Sequence, residues 1–235
     1  MPGPSAPTPP DQEPWPQQAG PAQWQAHQWQ PLWQRSWAGL GVQPEAGLLP
    51  QLLQAYGQPQ RHYHGLQHLH ECLWHWQQAQ HLAACPALVA LALWFHDAVY
   101  DPQAKDNELR SAQWAVRALQ AAGAPAAAAA QVQALIMATC HTAQPAPGDA
   151  QLVVDIDLAI LGAAPARFAQ YQQQVRQEYG WVPEAQYRQG RRAVLQGFAQ
   201  RAAIYGTPWF HTRLEARARA NLAQALAELD GAAAR

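Results

Sequence analysis

The stretch Ala87–Asp101, ALVALALWFHDAVYD, is an almost unbroken apolar run that ends in an adjacent histidine and aspartate, His96 and Asp97. A segment apolar on every side reads as a buried helix. Burying an unpaired carboxylate is costly unless a cation or strong hydrogen bonds compensate it. His-Asp at the end of the most hydrophobic segment therefore calls for a partner. A bound metal ion is one answer; a capping aspartate beside a core histidine at an ordinary helix end is the other.

Upstream, the segment 61–81, RHYHGLQHLHECLWHWQQAQH, holds six of the ten histidines. Leu66, Leu69, Leu73 and Trp76 recur there at helical spacing and define a core stripe. On such a helix His64, His68 and His75 share a narrow sector at one border of the stripe, and His70 lies at the opposite border. Geometry alone does not choose among them. Downstream, LVVDIDLAILG at 152–162 sets Asp155 and Asp157 inside another apolar run. Alternation permits a strand, but length and helical neighbours favour a helix.

Helical patterns also cover 32–40, 46–56, 165–179, 183–204 and 214–229, with Pro183 suited to a first turn. Asp106 is placed to cap a helix carrying Leu109, Ala112, Val116 and Leu119 on one face. The alanine-rich stretch after it is a strong helix former, entered through Pro125. No hairpin signal occurs. The expected fold is all-α, a helical bundle of roughly eight to ten helices over residues 32–235. Residues 1–31 are rich in Pro and Gln and contain no Leu, Ile or Val, so a disordered tail is expected. Trp15, Trp24 and Trp29 are its exceptions, as large aromatics able to dock on a core or a partner.

A net charge of −1 and only 13% charged residues give no electrostatic case for nucleic acid or acidic membrane as a partner. Cys72, Cys85 and Cys140 lie in apolar helical stretches at no metal-finger spacing and read as reduced core residues. With no targeting pattern and no apolar run of about 20 residues, a cytoplasmic protein is expected, as monomer or homodimer. Gly-rich phosphate loops, Walker motifs and serine elbows are missing, which removes nucleoside triphosphatase and acyl hydrolase readings.

His68, His96-Asp97 and Asp157, each at or beside the apolar face of a different helix, follow the order H…HD…D. In this the chain resembles the HD superfamily of metal-dependent phosphohydrolases, all-α enzymes with a four-ligand site. It resembles more narrowly the bacterial branch of predicted metal-dependent HD-type phosphohydrolases. The blocks that carry the narrower likeness are RHYHGLQHL at 61–69, FHDAVYD at 95–101, DNELRSA at 106–112 and DIDLAILG at 155–162. Arg176, Glu178, Tyr179, Gly190-Arg191 and the Glu215–Leu222 stretch with Ala218, Arg219 and Asn221 continue it. The likeness runs from about Trp33 to the last helix. It selects His68 over His64, because the superfamily's first ligand is followed directly by an aliphatic residue, here Leu69. It selects Asp157 over Asp155 as the second acid of its block, although Ala159 rather than a leucine follows Leu158.

Two imidazoles and two carboxylates make a mixed nitrogen and oxygen site suited to a divalent transition metal, Mn, Fe, Co, Ni or Zn. The resemblance implies that such an ion acidifies a water and polarises a phosphoryl oxygen, with Asp97 serving as ligand and as base. The implied reaction is hydrolysis of a small phosphoester, nucleotides included. Glu108 is the other catalytic candidate, placed to orient water or substrate. His64 and His141 are placed to contact a phosphate or a second metal, and Asp155 to support Asp157. Arg61 and Arg191 are phosphate-binding candidates, since a guanidinium makes bidentate contacts with phosphate oxygens. Lys105, the only lysine, follows His96-Asp97 closely. Two other readings stay open: a di-iron oxygenase of HD type that recruits His64 and His141, and a non-catalytic metal- or ligand-binding module.

Overall fold

The computed structural model describes residues 26–231, and among them are ten α-helices and no strand. These are α1 (Ala26–Ala38), α2 (Leu48–Tyr56), α3 (Leu66–Ala79), α4 (Pro86–Phe95), α5 (Asn107–Ala121), α6 (Ala126–Met137), α7 (Asp149–Asp157), α8 (Pro165–Glu178), α9 (Glu184–Ala199) and α10 (Pro208–Gly231). Short 3-10 turns at Gln80–Leu82, Ala138–Cys140 and Leu158–Gly162 prolong α3, α6 and α7. The protein is an all-α bundle.

Helix α4 is its centre. Pro86 occupies the first turn, where a missing N–H is harmless, and every side chain from Leu88 to Phe95 is buried. A helix apolar all round persists only when neighbours surround it, and α1, α3, α5, α6 and α7 all pack on this one. Each leucine so buried contributes about 1.5–3 kcal/mol. The end of α4 is held by Tyr56, whose hydroxyl donates to the Trp94 carbonyl at 3.2 Å and accepts from the Asp97 N–H at 3.1 Å. Burial pushes that phenol up to about 12, so it stays neutral. The apolar run thus ends at a fixed point, with His96 and Asp97 just beyond it.

The boundary expected at residue 31 is corrected: α1 begins at Ala26 and carries Pro31 inside it. Trp29, read with the tail, is 5% exposed and packs on Trp94 and on His70. Trp29, Trp33 and Trp37 recur every fourth residue and form one face. Aromatic burial there does what aliphatic residues do elsewhere, which is why the lack of Leu, Ile and Val misled. Trp15 and Trp24, with most of the stretch expected to be disordered, lie outside the described residues. At the other end of the bundle Gly162 lets the turn after α7 meet α10, since a Cβ there would lie 2.6 Å from that of Leu214. No described helix is long and apolar enough to cross a membrane.

His75, grouped by its helical phase with His64 and His68, goes into the core between α3 and α10, 4% exposed and beside Phe210. Burial pulls its pKa down to about 3. The unfolded chain takes up this proton below about 6.5 and the folded one does not, so the contribution is complete above 6.5 and lost as pH falls toward 3. Between pH 7.5 and pH 5 this amounts to roughly 2 kcal/mol. Urea unfolding at the two pH values should show His75→Gln losing about 2 kcal/mol less than wild type on acidification. Equal losses would contradict it.

Candidate metal centre

His68 reaches the centre from α3, His96 and Asp97 from the end of α4, and Asp157 from the last residue of α7. The Nε2 atoms of His68 and His96 are 3.0 Å apart. Asp157 Oδ1 lies 3.1 Å from the first and 3.7 Å from the second. Asp97 Oδ2 lies 3.4 Å and 3.2 Å from the same two atoms. Donors bound about 2.0–2.2 Å from one ion sit about 3–3.6 Å from each other at octahedral or tetrahedral angles. The imidazole pair with each carboxylate in turn has the spacing of a coordination shell, and the chemistry of the donors fits a divalent transition metal.

His96 Nδ1 donates to the Leu93 carbonyl at 2.8 Å, which fixes its tautomer and turns Nε2 to the cluster. Both imidazoles are buried, 2% and 1% exposed. Their surroundings balance in charge. Burial opposes a charge on His68, yet Cys72, Tyr63 and the two carboxylates hold its pKa well above the ordinary range. Burial likewise opposes a charge on His96, which Asp97 beside it reverses. For Asp97 and Asp157 burial favours the neutral acid, but the histidines around them hold both below the ordinary carboxylate range. The buried carboxylates call for positive charge beside the imidazoles, which a metal cation on the Nε2 atoms would provide.

Cys72, one turn after His68, was expected to be a core residue and is one, 1% exposed, and it lies beside the candidate centre. His68, Cys72, His96 and Asp157 each bring a donor atom within 4.8 Å of the others. Its Sγ is 3.7 Å from both ring nitrogens of His68. Equal distances put the sulfur abreast of the ring's middle, about 4 Å or more from an ion on Nε2. In this rotamer it packs on His68 and lies too far to share an ion held on Nε2.

Asp97 and Asp157 face a cavity of about 480 Å³ that His64, Glu108, His141 and Arg191 also line. His64 stacks on Tyr100, and its Nδ1 lies 2.7 Å from Glu178 Oε2. The same carboxylate accepts from the Tyr100 hydroxyl and from the N–H groups of Tyr63 and His64. Burial works against its charge, but His64 and these donors hold Glu178 below its ordinary pKa. Nδ1 of His64 is thereby engaged and Nε2 left for the cavity. His141 adopts a left-handed backbone, φ 54°, and its Nε2 is 3.0 Å from Asp157 Oδ2. Arg191 lies over the Tyr171 ring and donates to Gln172.

A scan against protein-family models, a search of curated proteins and a search of solved structures find no match to this chain.

Two of the expected phosphate or support residues do other work. Arg61 donates to the carbonyls of Asp97 at 2.5 Å and Ala98 at 2.9 Å, and to Gln58 at 3.1 Å. Its guanidinium braces the His-Asp turn and is not on the cavity wall. Asp155 is fully buried and accepts from Gly206, from the backbone and hydroxyl of Thr207, and from Gln151, tying α7 to the start of α10. Burial raises its carboxyl, and those four donors oppose the rise. Lys105 is exposed and lies off the cavity. Glu178 entered the likeness without a role, because its partners Tyr63, His64 and Tyr100 lie 115, 114 and 78 residues away in the chain.

Proposed function

We propose that this chain is a metal-dependent phosphohydrolase of the HD type, hydrolysing a small phosphoester. The observation that carries the reading is two imidazole Nε2 atoms 3.0 Å apart, with an oxygen of Asp97 and an oxygen of Asp157 each 3.1–3.7 Å from both, beside a cavity. His68, His96, Asp97 and Asp157 would hold the ion. When bound, it supplies Lewis acidity toward water and a phosphoryl oxygen. Asp97 turns Oδ2 to the two imidazoles, which leaves Oδ1 to accept a proton from the attacking water. Glu178 orients His64 so that Nε2 meets the phosphoryl or leaving-group oxygen. Arg191 is the guanidinium for the remaining phosphoryl oxygens.

The test is hydrolysis of phosphate monoesters and diesters by protein stripped with chelator and reloaded with Mn, Fe, Co, Ni or Zn. Turnover that requires the ion and returns on reloading supports the reading. Inertness across the panel in every metal form overturns it and leaves a non-catalytic binding module. The di-iron alternative draws on His141 at the second oxygen of Asp157. It requires two irons per chain and oxygen consumption, which the metal count and an oxygen electrode would decide.

A further inference from the structure

The cavity wall differs sharply in character from its floor. Tyr171, Tyr179, Tyr187 and Phe198 bring four rings to it, and Val182 and Val194 add aliphatic surface. Trp181 continues this surface outward, stacked on Tyr179 at 6.4 Å. Trp181 and Val194 are 56% and 49% exposed, and only four large hydrophobic side chains are exposed among the described residues. An apolar rim left open to water at a cavity mouth marks a surface that a ligand covers.

The charges limit what that ligand carries. Arg191 is the only arginine or lysine on the wall among the described residues, facing the carboxylates of Asp97, Asp157 and Glu108. Nε and Nη2 of Arg191 donate to Gln172, which leaves Nη1 for a ligand, while other guanidiniums are engaged away from the cavity. Arg61 holds carbonyls, Arg167 holds Glu71, and Arg201 lies over Phe198 with a contact to the His141 carbonyl. One phosphoryl group can be met by an ion, Arg191 and His64. A second or third would face carboxylates and tyrosine rings without a cation.

Resting on the phosphohydrolase reading, we infer that the substrate is a phosphate monoester of a flat, largely apolar aryl alcohol, and not a polyphosphate. Tyr187 and Phe198 are its specificity residues. Stacking of a ring on aromatic side chains is worth about 1–3 kcal/mol, a preference of roughly fivefold to 150-fold, and two rings acting together place it at about tenfold or more.

The experiment is calorimetric titration of the full chain, Mn-loaded and metal-free, with phenylphosphonate, methylphosphonate and methylenediphosphonate, whose C–P bonds do not hydrolyse. Retained metal is assayed after each run. Phenylphosphonate should bind at least about tenfold tighter than methylphosphonate, and methylenediphosphonate no tighter than methylphosphonate. Tyr187→Ala and Phe198→Ala, checked for native circular dichroism, should each remove most of the phenyl preference and leave methylphosphonate binding within about twofold. Equal binding of phenyl and methyl compounds, tightest binding of the diphosphonate, or no binding at all would overturn the inference. A phenyl preference kept with and without Mn, with affinities indifferent to the ion, would support the aromatic subsite and overturn the metal-dependent reading of its floor.

Discussion

On the phosphohydrolase reading proposed above, His68→Ala and Asp157→Asn should each abolish transition-metal binding and lower phosphoester hydrolysis by about a thousandfold or more. Asp157 Oδ1 stands within 3.7 Å of both imidazole Nε2 atoms, and His68 Nε2 is within 3.4 Å of the other three donors. Removing either leaves three ligands and an altered charge balance. Metal assistance contributes several kcal/mol to a phosphoryl-transfer barrier, and each 1.4 kcal/mol is about tenfold in rate. The readouts are elemental analysis and the shift of thermal midpoint on adding Mn. Wild type should gain stability in proportion to the logarithm of metal concentration over its dissociation constant, and the variants should not. Asp157→Asn keeps the shape of the side chain, so a lost response there cannot be blamed on a cavity. Variants that retain wild-type metal content and midpoint shift would remove these residues from the centre. Glu178→Gln should keep its metal, because Glu178 touches His64 and no donor of the cluster.

What could be read from the chain follows from how locally each feature is encoded. The all-α fold was legible because α4 is apolar throughout and α3 repeats its leucines at helical spacing. The residues of the candidate centre were legible as types at the ends of apolar faces, although geometry left His64, His68 and His75 equivalent. The fold separates them by packing that no single helix contains: His68 to the cluster, His64 to Glu178, His75 to the core. Arg61 and Asp155 misled for one reason. A buried charge next to a site looks like a site residue in sequence, while its partners here are backbone groups of Asp97, Ala98, Gly206 and Thr207, which sequence does not mark. The aromatic wall was equally hidden, since Tyr171, Tyr179 and Tyr187 on helical segments look like core positions. Trp29 shows the converse case, a core residue taken for tail because its neighbours are polar.

The largest loss of stability from a charge change should come from Glu71→Leu. Glu71 and Arg167 are 3% and 6% exposed, and Arg167 Nε and Nη2 reach the two carboxylate oxygens at 2.7 Å and 2.9 Å. Gln67 donates to Glu71, Arg167 donates to Gln174, and Gln174 donates back to Gln67, closing a polar ring between α3 and α8. Breaking a buried pair by removing one partner costs about 3–5 kcal/mol, because the other charge stays buried without compensation. Replacing both partners by apolar residues of similar volume is often neutral. In urea unfolding Glu71→Leu should therefore lose about 3–5 kcal/mol, and Glu71→Leu combined with Arg167→Met should recover most of it. A loss below about 1 kcal/mol in the single variant would show that the pair behaves as a solvated surface bridge. The ring matters for the site because α3 carries His68 one turn before Glu71, while α8 carries Tyr171 on the cavity wall. If the pair serves only to clamp these helices, the double variant will bind Mn as wild type does. If its charges also tune the centre, stability will return without metal affinity, and comparing the two measurements on that one protein separates the roles.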